Sequence, residues 1–323
     1  MYNFVVNKGS GKRRGEEYLG QITRYCDARG IKYAVHATNA KGHAEQITRM
    51  LCESGADNVV VIGGDGTFHE ALNGLITPDR TALGFIPAGR GNDFARAAGL
   101  SLKPTEALED ILRGETKRID YIQCSDRRCL NVAGTGMDVD VLQSVIDKKN
   151  AISYYVSLVG CLLRFKPYKV KIRANGVETE KNCIMVGVGN GVAIGGGMLV
   201  CPGAKIDDGK LDLMTAEKLD RGLLRLLPNF VKGRHDNLPE LTHTAVEEVE
   251  VDNPGFPVQL DGEIYPDMQL RCKIVKGGTK SPPTGSQNNS RSQINICGRF
   301  PYKNEKRLFC RIFAYSVITA AAE

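Results

Sequence analysis

The sequence predicts a doubly wound α/β domain followed by an antiparallel β-domain with helical insertions. Strands and helices alternate through the first third of the chain with short Gly-rich joints, the pattern of a parallel sheet covered by helices. From Arg118 onward the segments become short, β-rich and separated by turn residues, which is typical of antiparallel strands. The length of 323 residues agrees with about two domains.

The clearest strand of the first domain is the run Asn58-Val-Val-Val-Ile62. Its continuous β-branched residues indicate a strand buried on both faces. Gly30 and Gly55 end two helical patterns, because glycine adopts the backbone conformation that follows a helix. The predicted strands span residues 2–6, 31–35, 58–62 and 81–87, and the predicted helices span 16–29, 42–53, 67–75 and 92–98.

Short strands dominate the second domain, with helical patterns at about 141–166 and 220–232. The pair Asn175-Gly176 predicts a hairpin with a type I′ turn. The predicted strands span 118–123, 128–132, 168–174, 182–188, 211–215, 245–251, 256–260 and 270–275. The predicted domains are 1–117 and 118–276, followed by 277–323 as a polar linker and a divergent basic and apolar tail. The tail segment 307–322 fits an amphipathic helix at a membrane surface or, more plainly, a segment that packs on the body or stays disordered.

The charge distribution argues against a nucleic-acid-binding protein. The formal net charge is +6, but residues 281–323 hold six Lys or Arg against two Glu, which leaves +2 for the first 280 residues. A dedicated nucleic-acid-binding protein concentrates basic residues on its folded body. We therefore expect no nucleic acid among the partners.

The sequence predicts neither a secretory signal nor a membrane-spanning run, which needs roughly 18 consecutive apolar residues. The ten cysteines are scattered without a CxxC pair, which argues against a zinc cage and a redox pair. Unpaired cysteines are typical of a reducing compartment. We therefore expect a cytoplasmic protein.

Three Gly-rich turns follow strands of the first domain: Gly63-Gly64-Asp65-Gly66-Thr67, Gly89-Arg90-Gly91-Asn92-Asp93, and residues 7–12. The carboxyl ends of parallel strands share one edge, where backbone N–H groups at helix starts bind phosphates. An acidic residue there fits a phosphate site if a Mg²⁺ ion bridges the carboxylate and the phosphate. One such turn fits a plain capped helix start equally well. Three at one edge favour a nucleotide site.

Two familiar nucleotide motifs fail on spacing. The turn at residues 9–12 is not a Walker A loop, because Val6 and Arg13 stand where that loop needs Gly and Ser or Thr. The turn after the third strand lacks the third Rossmann glycine, because His69 stands there.

Four motifs in order resemble the diacylglycerol kinase catalytic-domain family, in its soluble bacterial lipid-kinase branch. They are Gly63-Gly64-Asp65-Gly66-Thr67-x-x-Glu70-x-x-Asn73-Gly74, Pro87-x-Gly89-x-x-Asn92-Asp93-Phe94-Ala95-Arg96, Asn131-x-x-Gly134-x-Gly136-x-Asp138 and Asp261-Gly262-Glu263. The resemblance covers roughly residues 2–276. It implies an α/β nucleotide-binding domain, a β-sandwich and a cleft between them.

The resemblance further implies transfer of the γ-phosphoryl group of ATP, with Mg²⁺, to a hydroxyl of diacylglycerol or a related lipid. Glu263 matches the general base, and a carboxylate suits that role beside an alcohol. Asp65, Asp93 and Asp120 match acidic positions around the phosphates and the metal. The positions matched to ATP binding are Asn7, Lys8, Gly9, Ser10, Gly11, Thr38, Gly63, Gly64, Asp65, Gly66, Thr67, Phe68, His69 and Arg90.

A second Mg²⁺ site of the family falls at the turn 205–210. Asp208 would give a side-chain oxygen, and Lys205 and Lys210 would give carbonyls. Read from the residues alone, this segment fits a bare hairpin turn. By the same reading Glu263 fits a solvated hairpin residue, and Asp120 fits a surface ion pair.

Three departures from the family leave other functions open. Arg90 stands where relatives usually have Thr, and Lys8 where they usually have Pro. The chain after Lys276 runs into a polar linker, where the family normally ends with another apolar strand. The alternatives are a kinase for a soluble acceptor such as NAD, and a nucleotide or lipid sensor with weak catalysis. The motif Asp261-Gly262-Glu263 argues against NAD kinase. We expect a lipid substrate presented at a membrane surface, transient peripheral contact with the inner face of that membrane, and β-domain edges that allow a homodimer.

Overall fold

The computed structural model describes residues 1–114, 116–145, 160–161, 165–217, 240–277 and 294–297. The predicted helix at 220–232, most of that at 141–166 and the tail segment 307–322 lie outside these residues. Among the described helices, none combines the length and apolar character needed to cross a membrane.

The first domain is a six-stranded sheet with helices on both faces. Its elements are β1 (Tyr2–Val6), α1 (Ser10–Ala28), β2 (Tyr33–Ala37), α2 (His43–Glu53), β3 (Asn58–Gly63), α3 (Asp65–Gly74), β4 (Ala82–Pro87), α4 (Asp93–Ala97), α5 (Pro104–Leu112), β5 (Thr116–Ile119) and β19 (Ile294–Cys297). The strand order is β2-β1-β3-β4-β19-β5. Neighbours are parallel except for the pair β19 and β5.

The predicted α/β architecture is confirmed, with small differences in the elements. Strand β2 begins at Tyr33, two residues later than predicted. Helix α5 was not predicted, although Pro104 suits the first turn of a helix and Ala107, Leu108 and Ile111 have helical spacing. These three side chains are buried against the sheet.

Strand β19 comes from the segment that the sequence assigned to the tail, and the structure corrects that assignment. Ile294 and Ile296 are fully buried, and Ile296 pairs with Leu83 of β4. On its other side β19 pairs with β5, which itself crosses the predicted domain boundary at residue 117. The long polar run before Ile294 concealed a strand of only four residues. The first sheet therefore extends to Ile119 and takes its last strand from beyond the second domain.

The second domain is an antiparallel sheet of eleven strands folded as a β-sandwich. Its elements are β6 (Tyr121–Cys124), β7 (Arg127–Cys129), β8 (Val132–Gly136), α6 (Met137–Val145), β9 (Tyr168–Ala174), β10 (Val177–Gly189), β11 (Ala193–Ile194), β12 (Met198–Leu199), β13 (Leu211–Glu217), β14 (Leu241–Val246), β15 (Glu248–Asp252), β16 (Val258–Leu260), β17 (Glu263–Tyr265) and β18 (Leu270–Val275). The order is β17-β16-β8-β10-β9-β15-β18-β6-β7, with β13 beside β10 and β14 beside β13. The short strands β11 and β12 pair separately.

Alternating side chains build the core of this domain. Val170 and Ile172 of β9 are buried, whereas Lys169, Lys171 and Arg173, which alternate with them, are exposed, as expected for a strand with one face in the core. The hairpin from β9 to β10 turns at Asn175-Gly176, where both residues have positive φ (52° and 76°). The predicted type I′ turn is confirmed.

Arg128 docks helix α3 on the second domain. Its guanidinium donates hydrogen bonds to the carbonyls of Leu72 and Leu75 at the C-terminal end of the helix. The side chain of Asn73 accepts from the Arg128 N–H at 2.8 Å and donates to its carbonyl at 3.1 Å. The far end of α3 is thereby fixed, and its N-terminus is aimed at the cleft between the domains.

Candidate active site

A cavity of about 610 Å³ opens at the carboxyl ends of the parallel strands. The three Gly-rich turns meet there, as the sequence predicts. Eight residues matched to ATP binding line the cavity: Asn7, Gly9, Ser10, Gly11, Thr38, Gly64, Gly66 and Thr67. Glu263 of the second domain closes one side, so residues far apart in the chain share one site.

Asn7 ties the first turn to the turn after β3. Its Oδ1 accepts a hydrogen bond from the Gly9 N–H at 3.1 Å, and its Nδ2 donates to Thr67 Oγ1 at 3.1 Å. Gly11 has φ +56°, and a Cβ there would collide with the carbonyl of Ala88. The three turns are therefore packed into one rigid surface with room only for glycine at the contact points.

Helix α3 begins without a side-chain cap. Its N-cap is Gly64, and no side chain bonds the first N–H groups. These donors and the helix dipole favour an anion at this point. A Cβ on Gly66 would lie 2.8 Å from Glu263 Oε1, so the carboxylate sits directly over the start of the helix. A phosphate bound here would lie beside Glu263.

Asp65 and Asp93 form a buried pair of carboxylates at the starts of α3 and α4. A Cβ on Gly91 would lie 3.2 Å from Asp65 Oδ2 and 3.3 Å from Asp93 Oδ2. Burial raises the pKa of both groups, and the charge of Asp93 raises the pKa of Asp65 further. Asp93 Oδ2 accepts from the Gly196 N–H at 2.8 Å, while its Oδ1 has no partner among the described residues.

This pair fits a divalent cation. Two crowded carboxylates with an oxygen left over are what Mg²⁺ uses when it binds to protein and nucleotide together. Within the described residues no three His, Cys, Asp or Glu side chains converge on one point. A Mg²⁺ ion held by this pair would take its other ligands from water or from phosphate oxygens.

Glu263 opens the edge strand β17 and points into the cavity. Its Oε2 lies 2.6 Å from Lys41 Nζ, and its side chain is 27% exposed. The carboxylate is thus accessible from the cavity, where an acceptor hydroxyl would have to approach. Glu263 is also a partly exposed residue of the hairpin formed by β16 and β17, so its role as general base stays a prediction.

His69 and Asp261 anchor the turn that carries Glu263. His69 Nδ1 lies 3.1 Å from Asp261 Oδ2, and its Nε2 lies 2.9 Å from the hydroxyl of Tyr265. Burial alone would raise the pKa of Asp261, but hydrogen bonds from His69 and from backbone N–H groups, including that of Leu130, outweigh it and hold the pKa below its ordinary value. The ionised carboxylate therefore holds α3 against the turn.

The structure places Phe68 and His69 differently from the ATP contact expected of them. Phe68 is buried and stacks on Phe85 with ring centroids 4.2 Å apart. His69 is only 3% exposed and is engaged with Asp261. On a helix, consecutive residues face different directions, so only part of the motif can face the cavity.

Asp120 lies apart from Asp65 and Asp93, at the point where the chain passes from the first sheet to the second. Its carboxylate accepts from the N–H of Gly277 and of Gly209, each at 2.7 Å, and Asp120 does not line the cavity. Gly277 lies where the chain leaves the second domain. Asp120 joins two interdomain crossings to the turn 205–210, and its predicted place around the phosphates and the metal stays a prediction.

The turn 205–210 lies beside Asp120. Asp208 Oδ1 accepts from the Lys210 N–H at 3.1 Å, a bond typical of an aspartate turn. The side chains of Lys205, Asp208 and Lys210 are exposed. A cation held by Asp208 and the carbonyls of Lys205 and Lys210 stays a prediction.

Two residues that line the cavity, Lys41 and Glu70, were not among the predicted site residues. Lys41 reaches Glu263, and Glu70 accepts from the N–H of Gly42 at 2.8 Å and of Ala44 at 3.1 Å, which fixes the start of α2. Glu70 belongs to the first motif, so its spacing could have marked it. Of the other positions matched to ATP binding, Lys8 and Arg90 are exposed and Gly63 is buried, and none of the three lines the cavity.

Asp138 of the third motif is a buried carboxylate outside the cavity. Neither of its oxygens has a well-formed hydrogen bond among the described residues. A Cβ on Gly134 would collide with its Oδ2 and lie 3.1 Å from Gln259 Nε2. Gln259 Oε1 in turn accepts from the Gly262 N–H at 2.9 Å, next to Glu263. Burial raises the pKa of Asp138 to about 7.

We expect Asp138→Asn to stabilise the protein above neutral pH. The pKa of Asp138 is higher in the folded protein than in the unfolded chain. The folded state therefore loses stability as pH rises from the ordinary pKa of an aspartate toward 7, because the buried carboxyl has to ionise. A shift of about 3 units corresponds to at most about 4 kcal/mol. Unfolding by denaturant at pH 4 and pH 8 measures the difference, with the exposed Asp126→Asn as control. A gain that does not grow with pH would contradict the prediction.

Two family models match the chain in succession: the diacylglycerol kinase catalytic domain over residues 2–124, and the YegS C-terminal NAD kinase beta sandwich-like domain over residues 131–279. The chain is 37% identical over 235 residues to a "Diacylglycerol kinase" of Mycobacterium tuberculosis (strain ATCC 25618 / H37Rv), covering 68% of this chain and 74% of that one. It is 30% identical over 277 residues to a "Probable lipid kinase YegS-like" of Enterobacter sp. (strain 638), covering 82% and 91%.

The fold is also similar to a solved structure. A diacylglycerol kinase of Bacillus anthracis str. Sterne superposes with a TM-score of 0.69 over 92% of this chain and 96% of that one, at 22% identity. The two matched domains follow each other as the two sheets do. The chain therefore belongs to the diacylglycerol kinase catalytic-domain family, within its bacterial branch of lipid kinases.

Proposed function

We propose that this lipid kinase transfers the γ-phosphoryl group of ATP, with Mg²⁺, to a hydroxyl of diacylglycerol or a closely related lipid, and that Glu263 is the general base. The observation that carries the proposal is the place of the Glu263 carboxylate, over Gly66 at the uncapped start of α3. A base and a phosphate-binding helix terminus thus face the same small volume. That arrangement suits phosphoryl transfer to an alcohol.

The chain's own groups account for the main steps. The N–H groups at the start of α3 and the Gly-rich turns bind the phosphates. Glu263 accepts the proton of the acceptor hydroxyl while that oxygen bonds to the γ-phosphorus and ADP leaves. Asp65 and Asp93 would hold Mg²⁺, which neutralises phosphate charge when bound. The His69–Asp261 contact keeps the Glu263 turn in place meanwhile.

The lipid acceptor is proposed because the relatives similar to this chain are named a diacylglycerol kinase and a probable lipid kinase. The recess beside the carboxylate pair, lined by Leu130, Ala193 and Ile194, holds only about 20 Å³ and is too small for an acyl chain. The acyl chains would therefore lie outside it. We propose that the lipid is met at the cytoplasmic face of a membrane through transient peripheral contact. A homodimer and the absence of a nucleic-acid partner stay predictions.

The decisive experiment supplies labelled ATP and Mg²⁺ with mixed micelles of diacylglycerol, phosphatidylglycerol or monoacylglycerol. We expect label in the diacylglycerol product and none in detergent alone. Label that appears only in a water-soluble product would favour a kinase for a soluble acceptor. ATP binding without any labelled product would favour a sensor.

A further inference from the structure

We propose that Lys41 is a further catalytic residue, whose ammonium group binds the γ-phosphoryl group of ATP and thereby frees Glu263 to act as the base. The inference rests on the proposed function and assigns a second residue of the cavity, beside Glu263, to the reaction. Lys41 belongs to none of the motifs on which the family resemblance was built, and its place became evident only in the fold.

The position of Lys41 is the first argument. Its Nζ lies 2.6 Å from Glu263 Oε2, and the other oxygen of that carboxylate lies over Gly66. Glu263 therefore stands between Lys41 and the uncapped N–H groups of α3. An anion seated on those N–H groups would meet the carboxylate and the ammonium on the same side. The third phosphate of ATP is the group that must lie next to the base.

The charge of the cavity is the second argument. Among the described residues that line it, Lys41 is the one cation, against the carboxylates of Glu70 and Glu263. Glu70 is already occupied by two N–H groups of α2. A polyphosphate brought to Glu263 would be repelled without a positive partner there. Lys41 supplies that charge at the point of repulsion.

Lys41 can exchange the Glu263 carboxylate for a phosphate, because its backbone is held in place while its side chain is exposed. Glu70 holds the start of α2 through Gly42 and Ala44, so the backbone before it is fixed over the cavity. The Lys41 side chain is 80% exposed and free to reorient about this anchor. An exposed ion pair contributes little to stability, so giving up Glu263 for a phosphate costs little. Contact with Glu263 raises the pKa of Lys41, which keeps the ammonium charged.

In the proposed step, the bond that forms at phosphorus is matched by one that breaks. The acceptor oxygen bonds to the γ-phosphorus, its proton passes to Glu263, and the bond between the γ-phosphorus and the bridging oxygen breaks, with its electron pair leaving on ADP. Lys41 keeps its proton and faces oxygens of the transferred group. Once the ammonium has moved to the phosphate, Glu263 Oε2 is open to accept the hydroxyl proton.

Binding measurements test Lys41 without any lipid. The variants are Lys41→Met and Lys41→Arg, with Lys32→Met as the matched control, since Lys32 is exposed on the same domain and does not line the cavity. Calorimetry with Mg²⁺ gives the Kd of ATP and of ADP for each. We expect Lys41→Met to weaken ATP at least about tenfold, the size of one lost charge-assisted contact, and ADP less than about twofold. Lys41→Arg should retain most of the ATP affinity.

An unchanged ratio of ATP to ADP affinity in Lys41→Met would overturn the proposal, whether both nucleotides bind normally or both bind equally weakly. ADP binding also shows that the variant is folded. The ratio is independent of the acceptor, so it separates this proposal from the proposed function. Failure of the wild type to label any lipid would refute the acceptor assignment and leave the Lys41 result standing.

Discussion

Replacing Glu263 by Gln will reduce lipid phosphorylation by about a thousandfold while ATP stays bound, since a positioned general base contributes on the order of 10²- to 10⁴-fold. The amide keeps the size of the side chain but cannot accept the hydroxyl proton. The phosphate-binding N–H groups of α3 are untouched. Removal of the partner of Lys41 should leave ATP affinity equal or higher, because the ammonium no longer has a competing carboxylate.

Initial rates of lipid labelling and the Kd of ATP together measure this outcome. Asp267→Asn is the matched control, because Asp267 is an exposed carboxylate close to Glu263 in the chain and does not line the cavity. A Glu263→Gln protein that keeps more than a tenth of wild-type activity would exclude Glu263 as the base. A parallel loss of ATP binding would show that the side chain acts mainly on the nucleotide.

Replacing Asp65 by Asn will lower the activity without lowering the stability of the protein. We expect activity at limiting Mg²⁺ to fall at least about 100-fold, since even outer-shell partners of a metal contribute 10- to 100-fold to affinity. The free energy of unfolding should be equal or higher above neutral pH, because the amide removes a buried charge beside Asp93. A residue that only supports the fold would show the opposite combination.

Rates measured as a function of Mg²⁺ concentration, together with denaturant unfolding, check this result. Asp57→Asn is the control, because Asp57 is an exposed carboxylate of the same domain that does not line the cavity. Wild-type activity at the same Mg²⁺ concentration would refute the metal role of Asp65. A loss of stability that matches the loss of activity would assign the residue to packing.

Local patterns predicted the parts of this structure that depend on local chemistry. The β-branched run of β3 and the Gly-rich turn after it follow from backbone preferences, so both were predictable. The hairpin at Asn175-Gly176 is another such case. Strand β19 was not predictable in this way, because four residues become a strand only when β4 and β5 offer their edges.

The candidate site likewise combines residues that local patterns predicted with contacts that only the fold creates. Gly64 and Gly66 were identified because a Gly-rich turn between a buried strand and a helix is typical of phosphate sites, and both line the cavity. The pairing of Lys41 with Glu263 joins positions 222 residues apart in the chain. No local pattern records such a contact. Phe68 belongs to a motif at the site, but its side chain packs in the aromatic core. A local pattern therefore also predicted a contact that the fold does not make.

The placement of β19 has a consequence for the order in which the protein is made. The first sheet takes a strand that is synthesised after the second domain, and among the described strands β5 pairs in that sheet with β19 alone. On a ribosome, the β-sandwich can complete its fold before the α/β domain can close. The nucleotide side of the cleft is therefore finished last, and a nascent chain interrupted before Ile294 leaves β4 and β5 with open edges.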